Sequence, residues 1–132
     1  MNTSKIILIN SILFFIGWNG IIILGSDFPP PSGYIWMAIL IAVLDYIQYK
    51  YLRGFLIELR RDKKKSFIDN TIFFLIGGVA ISSLILIVRL NLMMSQPFVD
   101  WITFIIVVTF IGVIYGVLFW IFNYILVKYF EK

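Results

Sequence analysis

The sequence predicts an all-α fold: an integral membrane bundle of four transmembrane helices, with both termini on the cytoplasmic side. Three observations predict this fold class. The composition is too apolar for a soluble domain, four long apolar runs are separated by polar or proline-containing segments, and most basic residues are gathered in one central segment.

The composition points to lipid as the solvent. Of the 132 residues, 61% are hydrophobic and 14% are charged, against roughly 45–50% and 25% in an average soluble domain. A soluble domain of this length lacks the interior to hide so much apolar surface. The length also favours one domain, so we expect residues 1–132 to form a single transmembrane domain.

The four apolar runs are long enough to cross a membrane. The first has 19 residues without an ionisable group, enough to cross a hydrocarbon core of about 30 Å at about 1.5 Å per residue. A signal peptide is the alternative, but the run is longer than the usual apolar region and no A-x-A site follows. The segment 25–33 holds three prolines, which predicts a tight outer turn because proline cannot continue a helix. The predicted spans are about 6–24, 34–52, 71–94 and 101–127.

The distribution of basic residues predicts the orientation. The segment Lys50–Asp69 holds seven of the eleven Lys and Arg residues, and the cytoplasmic loop is predicted at about 53–70. With Arg89 assigned to the third helix, neither outer turn carries a base. The positive-inside rule then places both termini and the loop in the cytoplasm. Frequent Ile, Phe, Asn and Lys are typical of an AT-rich genome, so we expect a multi-pass protein of the bacterial cytoplasmic membrane.

A few polar side chains interrupt the apolar runs. Asp45 is predicted near the middle of the second span, where an ionised carboxylate costs roughly 2.5–3.5 kcal/mol on insertion scales. It is either the coupling residue of a proton or cation site or a structural residue that bonds a neighbouring helix or lies at the inner surface. For Arg89, snorkelling to the outer headgroups is the alternative to a functional role. The candidate intramembrane polar site comprises Asp45, Gln48, Asn10, Asn123 and Arg89.

Small residues in the last two spans predict close helix packing. Gly112 and Gly116 form a GxxxG step, and Gly78 with Ser82 forms a small-xxx-small step. Both patterns let two backbones approach closely, within one chain or between two chains. The predicted packing residues are Gly77, Gly78, Ser82, Gly112 and Gly116.

The basic run RRDKKK has two interpretations. It is a solvated loop that sets the topology, or it also contacts anionic lipid or a cytoplasmic partner. The residues available for such a contact are Arg60, Arg61, Lys63, Lys64 and Lys65.

The absent residue types exclude several functions. There is no histidine and no cysteine, so thiol catalysis, cysteine-ligated metals and the commonest general base are all excluded. We predict no catalytic residue, no metal site and no cofactor. No phosphate-loop, dinucleotide or recognition-helix motif is present, so we expect no nucleic-acid partner.

Two function hypotheses remain. The first is a non-enzymatic accessory or protective, immunity-like subunit that packs its helices against a membrane partner. The alternative is a small oligomeric proton-coupled transporter that uses Asp45. The expected partners are the lipid bilayer and another membrane protein or a second copy of this chain.

Overall fold

The computed structural model describes residues 2–25, 34–88 and 94–130, and within them the chain is helical apart from Asp62 and a turn at 94–97, with no strand. The all-α prediction is therefore confirmed for these residues. Arg89 and all of the predicted outer turn except Gly25 lie outside them. The four helices are α1 (Asn2–Gly25), α2 (Tyr34–Arg61), α3 (Lys63–Val88) and α4 (Phe98–Phe130).

The helices extend beyond several of the predicted spans. α4 has 33 residues, so it is about 50 Å long at about 1.5 Å per residue. It follows a turn at 94–97, in which the carbonyl oxygen of Pro97 accepts a 2.9 Å hydrogen bond from the amide of Asp100. The Asp100 carboxylate stands in the first helical turn, where the helix dipole favours an acid.

The segment predicted as a cytoplasmic loop at 53–70 is helical except for Asp62. Helical hydrogen bonds continue through this residue, from the Asp62 amide to Glu58 (2.8 Å) and from the Ser66 amide to Asp62 (2.9 Å). The Asp62 carboxylate also accepts a 3.0 Å bond from the Lys65 amide, as an N-cap side chain does. The junction between α2 and α3 is thus one capped residue rather than a loop.

The chain divides into two compact units. Unit 1 comprises Met1–Ile57 and Leu126–Lys132, and unit 2 comprises Glu58–Ile125. In unit 1, α1 and α2 bury mainly aliphatic and aromatic side chains. In unit 2, the buried side of α3 is mostly polar or small. Its buried residues follow a four-residue period in which the half-buried Phe74 fills one step: Ser66, Asn70, Gly78, Ser82 and Leu86.

Large hydrophobic side chains are more often exposed than buried in the part of the chain that the structure describes. α3 (over Lys63–Ile87) and α4 are both long and apolar enough to cross a membrane. Only 22% and 11%, respectively, of their most apolar 18-residue windows are buried. The core helix of a soluble protein would instead be mostly buried.

Candidate functional site

Asp45 lies in unit 1, where the side chain that it meets is on α1. The Ser11 hydroxyl of α1 lies beside the Asp45 carboxyl and interacts with it. The other side of the carboxyl is not satisfied: Oδ1 is buried and has no hydrogen-bond partner among the described residues. A buried oxygen without a donor is costly, so this carboxyl is only partly satisfied among the described residues of unit 1.

Two of the other predicted site residues, Asn10 and Gln48, are also buried in unit 1. The Asn10 amide donates a 2.8 Å hydrogen bond to the carbonyl oxygen of Ile6, one turn earlier in its own helix. Gln48 follows Asp45 by three residues and so lies on the same side of α2. Asn10 stands next to Ser11 in the sequence. The structure therefore brings three of the five predicted polar residues into one unit.

The remaining two residues are placed differently. Asn123 belongs to unit 2, is fully buried, and donates a 3.0 Å hydrogen bond to the carbonyl oxygen of Phe119 in its own helix. Arg89 lies outside the described residues.

The glycines of unit 2 lie where α3 and α4 approach most closely. A Cβ atom added to Gly78 would stand 2.8 Å from the Cα atom of Thr109, closer than real Cβ contacts allow. One added to Gly112 would stand 3.3 Å from the carbonyl oxygen of Phe74, and one added to Gly116 would clash with the Phe74 side chain. These contacts join the two helices within one chain.

The other two predicted packing residues differ from each other. Ser82 is fully buried, and its hydroxyl donates a 2.9 Å hydrogen bond to the carbonyl oxygen of Val79. Gly77, by contrast, has no neighbouring atom within 4 Å of an added Cβ. It is half-buried and lies about 100° round the helix from Gly78, beside the α3–α4 contact rather than in it.

Two residues of this contact do not stand out in the sequence. The Asn70 amide donates a 2.7 Å hydrogen bond to the carbonyl oxygen of Gly116, and the Trp120 indole donates a 3.0 Å bond to the Ser66 hydroxyl. Both Asn70 and Ser66 are buried. Both residues lie at multiples of four positions before Ser82 and Gly78. This four-residue period is the sequence signal that could have identified them. Ser66 pairs with Trp120, and the later residue Asn70 pairs with the earlier residue Gly116. The helices α3 and α4 are therefore antiparallel.

The predicted basic contact residues are exposed, but they are not equivalent. Lys65 Nζ lies 2.9 Å from Glu58 and 3.1 Å from Asp69, so one ammonium neutralises part of two carboxylates. Lys65 precedes the predicted third span. Its hydrogen bond to Glu58, and to a smaller extent its hydrogen bond to Asp69, raise the pKa of Lys65. Lys63 Nζ instead lies 4.9 Å from the centre of the Tyr124 ring.

No family model, curated protein or solved structure matches this chain. Within the described residues, no three Asp, Glu, His or Cys side chains come together as a metal site would require. The geometry therefore offers three features for a functional argument: the Asp45–Ser11 pair, the α3–α4 contact, and the basic junction of α2 with α3.

Proposed function

We propose that this chain is a four-span protein of the bacterial cytoplasmic membrane, with both termini inside. It acts as a non-enzymatic accessory or protective subunit by packing its helices against a membrane partner. One observation carries the membrane placement. In unit 2 the α3–α4 contact combines small and polar residues with the rings of Phe74, Tyr115 and Phe119, while most of the large apolar side chains of the two helices are exposed.

In water, by contrast, most large apolar side chains would be expected in the interior of the fold. Without a hydrophobic drive between helices, membrane helices associate through small residues, close backbone contact and interhelical hydrogen bonds. The Gly78–Thr109 approach and the hydrogen bond from Asn70 to Gly116 are contacts of this kind. An exposed apolar surface this extensive is unusual on a soluble monomer, and hydrocarbon is the solvent that suits it.

The aromatic residues of α4 support the same placement. Trp101 and Trp120 are 19 residues apart in one helix, which is about 28 Å at about 1.5 Å per residue. That separation is close to the hydrocarbon thickness of about 30 Å, and tryptophan favours both interfaces of a membrane. Trp101 also packs near Phe98, with ring centroids 6.5 Å apart.

A partner has surfaces on which to dock that the described residues do not fill. The glycines Gly78, Gly112 and Gly116 are already occupied by the contact between α3 and α4. Gly17 of α1 and Gly77 of α3 have open space where a Cβ would lie. These two positions are therefore available for close approach by another membrane helix.

The test is crosslinking in native membranes. A photoreactive amino acid at Ile16 or Ile76, the exposed neighbours of Gly17 and Gly77, is expected to give one adduct of defined mass, and mild extraction is expected to recover the same partner in stoichiometric amount. A matched probe at Phe110, which is large, apolar and exposed, controls for random collision in the bilayer. A monomer that gives no adduct beyond the Phe110 background contradicts the accessory role.

One observation favours a second candidate, a small oligomeric proton-coupled transporter. The Asp45 carboxyl has a buried oxygen without a partner, and Ser11 supports the other side. Acids within membrane-spanning helices mark proton and ion pathways. Asp45 would carry the coupling charge, with Asn10 and Gln48 as polar lining.

Substitution of Asp45 separates the two candidates. In the transporter, Asp45→Asn abolishes substrate-driven proton movement in reconstituted vesicles, followed with a pH-sensitive dye, because the amide cannot exchange a proton. Asp100→Asn is the matched control, since this exposed acid at the start of α4 has no such role. Full coupled transport by Asp45→Asn ends the transporter hypothesis and leaves the accessory role untouched.

A further inference from the structure

The junction of α2 and α3 carries an exposed basic surface, which we call the basic corner: Arg61, Lys63 and Lys64, with Tyr124 and Trp120 beside it. The basic side chains at this junction differ in whether a carboxylate pairs with them. Lys65 forms ion pairs with Glu58 and Asp69. The carboxylate of Asp62 caps α3 through the Lys65 amide. Among the described residues, no carboxylate pairs with Arg61, Lys63 or Lys64, so their positive charge faces outward.

An aromatic scaffold holds one of these bases in place. The Lys63 ammonium lies 4.9 Å above the Tyr124 ring. That ring stacks on Trp120 at a centroid distance of 5.4 Å, with an angle of 3° between the planes. Trp120 is fixed in turn by its hydrogen bond to Ser66 and by an edge contact with Phe67. A base on such a scaffold loses less freedom on binding a ligand than a solvated lysine does.

The position along α3 places this surface at headgroup depth. Counting back about 30 Å of hydrocarbon from Ile87, at about 1.5 Å per residue, reaches Phe67. Lys63 and Lys64 then lie about one turn beyond the hydrocarbon. Trp120 and Tyr124 stand at the same level, where amphipathic rings settle in a bilayer.

We propose that the basic corner binds the phosphate of an anionic phospholipid headgroup in the cytoplasmic leaflet. The inference rests on the membrane placement proposed above. Arg61, Lys63 and Lys64 supply the charge, and Tyr124 and Trp120 pack against the glycerol region. Lys65 takes no part, because its ammonium is held by two carboxylates.

Trp120 provides a built-in reporter for the test. The other tryptophans, Trp18, Trp36 and Trp101, are replaced by phenylalanine in the full chain, which is reconstituted into phosphatidylcholine vesicles. Phosphatidylglycerol or phosphatidylcholine with brominated acyl chains is then added at equal mole fraction. Stronger quenching of Trp120 by the brominated anionic lipid is expected, and it measures the relative affinity for the two headgroups.

Single substitutions test the assignment residue by residue. Lys63→Gln and Lys64→Gln are each expected to lower the preference for the anionic lipid by about fivefold, the effect of one base near an anionic surface. Lys65→Gln is the matched control, since it removes the same charge from the same run. It is expected to leave the preference nearly unchanged.

The outcomes separate this inference from the proposed function. Correct insertion with equal quenching by both lipids overturns the lipid site alone. An equal loss in Lys65→Gln also overturns it, because only net charge would then matter. If millimolar inorganic phosphate abolishes the preference for the anionic lipid, the basic corner is a site for a free anion and the lipid assignment is wrong. Failure of the chain to insert into vesicles contradicts the membrane placement itself.

Discussion

Asn70 is the residue that most directly ties α3 to α4, because its amide reaches a backbone carbonyl of the other helix. The bond to Gly116 is 2.7 Å long, and the side chain is fully buried. Replacing Asn70 with leucine keeps a similar volume and removes this bond. We expect a loss of stability of about 0.6 kcal/mol, the average measured for interhelical hydrogen bonds in a membrane protein, and at most about 1.7 kcal/mol, the largest measured value.

The measurement is unfolding of the reconstituted protein in mixed micelles of increasing SDS fraction. Thr71→Ala is the matched control, since the hydroxyl of the half-buried Thr71 donates its hydrogen bond to the Phe67 carbonyl of its own helix and not to α4. It is expected to change the stability by less than about 0.5 kcal/mol. Equal effects from the two variants would show that the bond between α3 and α4 contributes nothing specific.

At the residue scale, the sequence identifies charges more readily than their partners. Asp45 stands out because a carboxylate within an apolar run is costly. Ser11 does not, since a serine is unremarkable in a membrane helix and only the fold places it against Asp45. Asn70 was predicted to lie in the loop, where an amide is expected. Once α3 is known to begin at Lys63, the same residue becomes a buried helix contact.

At the scale of the elements, two adjacent glycines give a direct test of the α3–α4 contact. Gly78→Leu drives a side chain into the Thr109 backbone, which cannot move aside as a flexible side chain would. We expect this substitution to destabilise unit 2 by about 1–3 kcal/mol, the usual range for overpacking. Gly77→Leu points into open space and is expected to be nearly neutral in the isolated protein.

The same SDS titration compares the two variants, which have identical composition. The opposite order of stability would mean that the α3–α4 register is wrong. Gly77→Leu has a second use, because the accessory function leaves this face open for a partner. Loss of the crosslink from Ile76 in the Gly77→Leu variant, without loss of stability, would assign that face to the partner.

The apolar runs predicted where the helices lie better than where they end. A run of apolar residues shows how much of a helix suits lipid, but a helix continues into water when its polar residues allow it. Lys, Arg and Glu are good helix formers, so the basic segment lengthens α2 and α3 up to Asp62. The charge count that predicted a cytoplasmic segment therefore carried no information about its secondary structure.

At the scale of the whole molecule, the open question is whether α1 and α2 cross the membrane as α3 and α4 are suited to do. Four spans place Ser32 and Ser95 outside, with Ser4 and Lys64 inside. If only α3 and α4 cross, Ser95 stays outside while Ser32 lies inside with the basic segment. Ser32 is therefore the one position whose side distinguishes these two arrangements.

The chain has no cysteine, so single cysteines can be introduced at these four positions without removing any background. An impermeant maleimide applied to intact cells is expected to label Ser32→Cys and Ser95→Cys, and to label Ser4→Cys and Lys64→Cys only after permeabilisation. The physical reason is the cost of moving the basic segment across the bilayer, which retains it on the cytoplasmic side. Labelling of Lys64→Cys in intact cells would invert the orientation. It would also remove the basic corner from the leaflet in which we expect it to bind lipid.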